Sequence, residues 1–130
     1  MTNILFVTIP RVLLGLIFLV SAIDGFYFIA TGNRLIHPPT SARGEAFEQA
    51  LMNAGFFWPL LKTINLVGGI SLLFNVMPAL GLALIAPVMT VIVLFHLTIN
   101  PPGLPVAGIL IVTGALLVYA YRERYAALLR

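Results

Sequence analysis

The chain has 130 residues, of which 61% are apolar and 8% charged, with seven Lys and Arg against four Asp and Glu. An average soluble domain is roughly 45–50% apolar and about 25% charged, so this composition excludes a soluble monomer and a disordered segment, and the length suits one domain over residues 1–130. With no Cys there are no disulfides, thiolate metal sites or Cys nucleophiles, and a net charge of +3 spread along the chain is too thin for a nucleic-acid footprint; the implied partner is a lipid bilayer.

Crossing a hydrocarbon core about 30 Å thick takes roughly 20 apolar residues in a helix. Four runs qualify. The first covers about residues 6–30, with Arg11 near its start and Asp24 near its end. Val20-Ser21-Ala22 has the small residues of a leader-cleavage site, but the apolar run continues through Phe26, Tyr27 and Phe28, so it reads as a retained span. A long connection, 31–55, follows. It opens on Thr31-Gly32-Asn33 and contains His37-Pro38-Pro39. From Ser41 its character changes: Glu45, Glu48, Gln49 and Asn53 alternate with Phe47, Ala50, Leu51 and Ala54 at helical spacing. This predicts a short amphipathic helix on the membrane surface, ended by Gly55.

The second run covers about 56–77, with Lys62 as its only full charge; the third covers about 79–99 and the fourth about 104–121, both uncharged. Asn75, Pro78 and Gly81 mark a tight connection, and Asn100-Pro101-Pro102-Gly103 is a strong breaker. Short connections make these three spans antiparallel neighbours. None of the runs alternates as barrel strands would. The expected fold is an all-α, integral-membrane four-helix bundle with a surface helix between its first two spans.

Orientation follows Lys and Arg. The amino terminus, Arg11, Arg122, Arg124 and Arg130 fall on one side, and Arg34, Arg43 and Lys62 on the other. The excess puts both termini in the cytoplasm. Tyr119, Tyr121 and Tyr125 suit an inner aromatic belt, and Phe56, Phe57 and Trp58 an outer one.

Polar groups at membrane depth are few: Asp24, Lys62, Asn65 and His96. At 1.5 Å per residue, Asp24 and Lys62 lie roughly 9 Å from the outer surface and His96 roughly 5 Å. Asn65 follows Lys62 by three residues, on the same helical face. Three helices thus bring polar groups to the outer half of the bundle. Ionised groups in hydrocarbon cost about 2.5–3.5 kcal/mol at the centre, so all four should face inward. One reading is a ligand pocket, with Asp24 and His96 handling protons, Lys62 neutralising Asp24 or meeting an anionic or carbonyl-bearing ligand, and Asn65 holding a ligand carbonyl. The other is structural: Asp24 pairs with Lys62, Lys62 snorkels, and His96 bonds a carbonyl. Arg11 reads as an interfacial anchor and Glu45 and Glu48 as a solvated face. Ser21 with Gly25, Ala79 with Ala83, Gly68-Gly69, and Gly108 with Gly114 read as close-packing faces. No metal site is expected, since His37 and His96 are the only histidines.

Several strings in order resemble the DoxX family of small bacterial membrane proteins: Arg11-Val-Leu-Leu-Gly-Leu-Ile-Phe-Leu-Val20, Asp24-Gly25-Phe26, Gly55-Phe56-Phe57-Trp58-Pro59-Leu60-Leu61-Lys62, Gly81-Leu-Ala-Leu-Ile-Ala-Pro87, Leu94-Phe95-His96, Gly103-Leu104-Pro105 and Tyr119-Ala120-Tyr121-Arg122. The resemblance covers nearly the whole chain. It implies a four-helix protein of the bacterial inner membrane with a long first outer loop. The family takes its name from a subunit of a thiosulfate:quinone oxidoreductase, and relatives are linked to redox or stress-response complexes. Many relatives carry Glu where Asn65 stands and Asn where Val91 stands, and Asn often occupies the place of Asp24.

Three functions compete. The first is binding of a small apolar ligand, a quinone by class, or service as the membrane subunit beside an oxidoreductase partner; a chain with no nucleotide motif and no Cys carries no electrons without a bound cofactor. The second is an enzyme on a lipid-soluble substrate, with Asp24 and His96 as acid and base. The third is a small homo-oligomeric transporter, since four helices alone leave little room for two gates.

Overall fold

The computed structural model describes residues 3–130. Its long elements are helices α1 (Ile9–Thr31, continuing a π-helical turn over Ile4–Thr8), α2 (Ala42–Asn53), α3 (Phe57–Leu73), α4 (Pro78–Thr98) and α5 (Leu104–Ala120), followed by the short α6 (Arg122–Ala126). Single 3₁₀ turns precede α5 (Pro101–Gly103) and follow α6 (Ala127–Leu129). There is no strand among the described residues. The amino-terminal charge counted above among the inner cations lies outside them.

The expected all-α fold is present, with helix ends close to those read from the sequence except in the second run. There α3 stops at Leu73 because Asn75 and Met77 take left-handed backbone angles, φ 59° and 47°. The turn is closed by Ser71, whose hydroxyl donates to Val76 O at 2.6 Å, and by Val76 N–H on Ser71 O at 3.0 Å. The amphipathic helix also forms. Ser41 caps it, its Oγ accepting from Gly44 N–H at 3.0 Å, and Gly55, at φ 77°, follows its end.

Ile4–Thr31, Pro78–Thr98 and Pro101–Ala120 are each long and apolar enough to cross a membrane. With 17 residues, α3 reaches about 26 Å, and the chain turns through 97° between α2 and α3. Apolar side chains cover the outward faces, among them Leu13, Leu16, Val20, Leu80, Leu84, Leu94, Ile111 and Val112. The chain is a multi-pass membrane protein.

In the bundle α1 packs on α3, α3 on α4, α4 on α5 and α5 back on α1. The tightest crossing is between α1 and α3, where two glycines let the backbones meet. A Cβ on Gly15 would stand 2.7 Å from Leu73 N, and one on Gly69 would stand 2.8 Å from Leu19 N. This antiparallel order gathers the start of α1, the end of α3, the start of α4 and the end of α5 at one end of the bundle. The apolar core lies there: Leu14, Phe18, Leu72, Leu82, Ile85, Leu110 and Leu117 are buried together. Arg11 is more than an interfacial anchor. Its guanidinium donates to the carbonyls of Leu72 and Leu73, capping the end of α3 from a neighbouring helix. Tyr125 of α6 donates to Ala79 O at 2.6 Å. Burial pushes its phenol above the usual range, which keeps the donor protonated.

Candidate functional site

The other end of the bundle is hollow. A cavity of about 530 Å³ opens between α1, α3, α4 and α5, beneath α2 and the preceding loop. Its walls are mostly apolar and rich in rings, with Phe47, Phe57, Trp58 and Phe95 among them. The polar groups reaching it include Ser21, Arg34, Glu48, Lys62, Asn65, His96 and Asn100.

Helix α3 supplies the central polar stripe. Trp58, Lys62 and Asn65 are spaced i, i+4, i+7 and so share one face, and all three are buried. The Lys62 stem lies across Gly25 of α1, where any Cβ would overlap its methylenes. That path carries the ammonium inward rather than out to the headgroups. Its Nζ stands 4.5 Å from the centroid of the Trp58 ring and donates to Ser21 Oγ at 3.0 Å. Asn65 Nδ2 donates to the same hydroxyl at 3.3 Å. Ser21 therefore joins α1 to both polar residues of α3. Two buried atoms in this group, Asn65 Oδ1 and Trp58 Nε1, have no hydrogen-bond partner among the described residues. Buried polar atoms are paired in the great majority of cases, and these two are enclosed within the packed wall rather than open to the cavity.

Asp24 does something different. Its Oδ1 accepts from the backbone N–H groups of Leu35 and Ile36 at 2.7 and 3.0 Å, and its Oδ2 accepts from Arg34 Nε and Nη2 at 3.3 and 3.2 Å. Arg34 then reaches on to Glu48 of α2 at 3.0 Å. Asp24 is thus a fully engaged anchor for the outer loop and is not among the cavity-lining residues. The expected Asp24–Lys62 pair does not form, because Arg34 and the loop backbone occupy the carboxylate. Glu48, expected on a solvated face, instead bridges to Arg34 at the cavity wall.

His96 lines the cavity from α4 and is half-buried. Its Nδ1 lies 3.3 Å from Asn100 Nδ2 and 3.4 Å from Asn100 O. Gly103 sits flat against the imidazole, where any side chain would overlap the ring. Asn100 in turn accepts from Ser41 N–H at 2.7 Å, and the Ser41 hydroxyl donates to Ile99 O at 2.8 Å. These bonds tie the start of α2 to the end of α4, and Phe47 stacks on Phe95 with ring centroids 5.4 Å apart. The roof is therefore fastened on two sides, at Asp24 and at Asn100.

Of the four residues singled out from sequence, Lys62, Asn65 and His96 face one cavity and Asp24 stands behind it. Sequence reading missed Ser21, Trp58, Arg34, Glu48 and Asn100 as members of this region. The signal for Trp58 was its i, i+4, i+7 register with Lys62 and Asn65. For the Arg34–Glu48 bridge there was none, because it spans a loop whose path no periodicity reveals. Among protein-family models, curated proteins and solved structures, nothing matches this chain.

Proposed function

We propose that this chain is a membrane-embedded binding protein of the DoxX type, holding one small lipophilic ring compound, of the quinone class, in the outer half of its bundle. The observation that carries this reading is a cavity of about 530 Å³ with aromatic walls and a polar stripe of Trp58, Lys62 and Asn65 along one face of α3. Ligand sites typically measure roughly 300–1,000 Å³ and combine apolar walls with a few placed polar groups. A quinone ring suits such walls, with the Lys62 ammonium, which gives one proton to Ser21, available as a donor to a carbonyl oxygen. Bound there, a quinone would supply the electron-accepting chemistry that the side chains lack, and electrons would come from an oxidoreductase partner subunit. The same reading places the protein in the bacterial inner membrane with both termini cytoplasmic, following the Arg distribution.

Trp58 is the only tryptophan, so its fluorescence reports on the cavity directly. Purified protein in lipid nanodiscs should show saturable quenching by a short-tailed benzoquinone. Val88→Phe, which narrows the cavity from α4, should weaken that quenching at least about tenfold while thermal stability is kept. Non-saturable quenching that is identical in both proteins would refute the reading.

A further inference from the structure

The roof of the cavity fixes where one imidazole carries its proton. Asn100 is 2% exposed, and its amide is oriented from two sides. Ser41 N–H can only donate, so it meets Oδ1, at 2.7 Å; Pro39 O can only accept, so it meets Nδ2, at 3.5 Å. The amide cannot be turned over without losing both bonds. Its Nδ2 therefore presents the remaining proton to His96 Nδ1, 3.3 Å away. A proton on Nδ1 would set two donors against each other. The one carbonyl nearby, Asn100 O at 3.4 Å, already accepts from Gly103 N–H at 3.0 Å. His96 Nδ1 is the acceptor, and an imidazole whose Nδ1 accepts carries its proton on Nε2.

That Nε2 is the free corner of the ring. Gly103 closes over the Nδ1–Cε1 edge. Nε2 has no hydrogen-bond partner among the described residues and, unlike Trp58 Nε1 and Asn65 Oδ1, is not enclosed. The half-buried ring borders the cavity. We infer that His96 is a ligand-binding residue held in one tautomer by Asn100, its Nε2–H donating to a carbonyl oxygen of the bound ring compound. This rests on the binding reading above, adds a second donor to Lys62, and makes His96 a fixed donor rather than a proton carrier. The same amide that fastens α2 over the cavity sets that proton, so closing the roof and preparing the donor are one event.

His37 and His96 are the only histidines, and His37 is exposed. Nitrogen NMR of the full chain, labelled with 15N-histidine and held in lipid nanodiscs at alkaline pH, therefore reads both rings, with His37→Gln giving the assignment. His96 should show a single tautomer, Nε2 protonated and Nδ1 bare, beside the mixture of tautomers at His37. Saturating short-tailed benzoquinone should shift His96 Nε2 and leave Nδ1 in place. In the Trp58 quenching titration, His96→Leu should weaken the benzoquinone about fivefold. His96→Gln, whose amide N–H reaches the place of Nε2–H, should restore binding to within about twofold. A mixed or Nδ1-protonated His96, or an Nε2 signal unmoved by bound benzoquinone, would overturn the donor role and leave the cavity reading standing. Absence of saturable quenching would overturn both. The native-chain spectra decide the matter even where a variant fails to fold.

Discussion

The two ends of this bundle are made by the same four helices and are filled in opposite ways. At one end Leu14, Leu72, Leu82 and Leu117 meet in a close-packed core, and Gly15 and Gly69 bring α1 and α3 into backbone contact. At the other end the helices are held apart by rings and polar side chains around about 530 Å³ of space, and the roof is secured by hydrogen bonds together with the Phe47–Phe95 ring contact. Lipid tails are as apolar as a leucine core, so burial of apolar surface contributes little to helix association in a membrane. Close packing and polar pairing remain, and each end relies chiefly on one of them. The packed end holds the helices in register, which lets the other end stay open.

Substitutions that exchange these two devices test the contrast. The largest effect is expected at the polar end from Asp24→Ala, which takes away one of the two carboxylates on Arg34 and leaves two backbone N–H groups unpaired at once. Thermal unfolding in detergent should show a loss of about 4 kcal/mol, accompanied by rapid tryptic cleavage at Arg34 as the outer loop lifts. At the packed end, Gly69→Val drives a side chain into the backbone of α1 and should cost about 3 kcal/mol by the same measurement. A matched pair then compares the ends directly. Leu72→Ala opens a void in the core and should cost about 2 kcal/mol, a value reduced by the missing transfer term in lipid. Leu61→Ala only widens a cavity that already exists and should cost less than about 1 kcal/mol. A similarly small effect is expected from Tyr125→Phe, which removes one hydrogen bond to Ala79 O and should lower stability by about 0.5 kcal/mol. Equal losses for Leu72→Ala and Leu61→Ala would erase the distinction between the ends.

Much of the fold was legible because lipid imposes a simple rule. A helix must satisfy its own backbone, so run length and breakers located α1, α4 and α5 to within a few residues, and polar alternation located α2. The early end of α3 was not legible, because Asn75 and Met77 take left-handed angles in a turn that run length alone does not reveal. Depth arithmetic placed Lys62, Asn65 and His96 in one half of the bundle, and they do share a cavity. The same arithmetic placed Asp24 with them and could not show that the loop backbone and Arg34 would claim its carboxylate. Depth along a helix is readable from residue number. Rotation about the helix axis and the path of a loop depend on packing partners far away in sequence, such as Gly25 beneath Lys62 and Ser41 against Asn100.

On the proposed function, the open end of the bundle is a ligand chamber and the packed end is not. Photo-crosslinking in nanodiscs with a benzoquinone carrying a short diazirine-bearing tail, followed by peptide mapping, separates the two ends. Labels should concentrate on the chamber walls around Trp58–Asn65 and Val88–His96, and excess short-tailed benzoquinone should abolish them. Labels spread over the lipid-facing positions Leu80, Val112 and Val118, and indifferent to competitor, would contradict the claim.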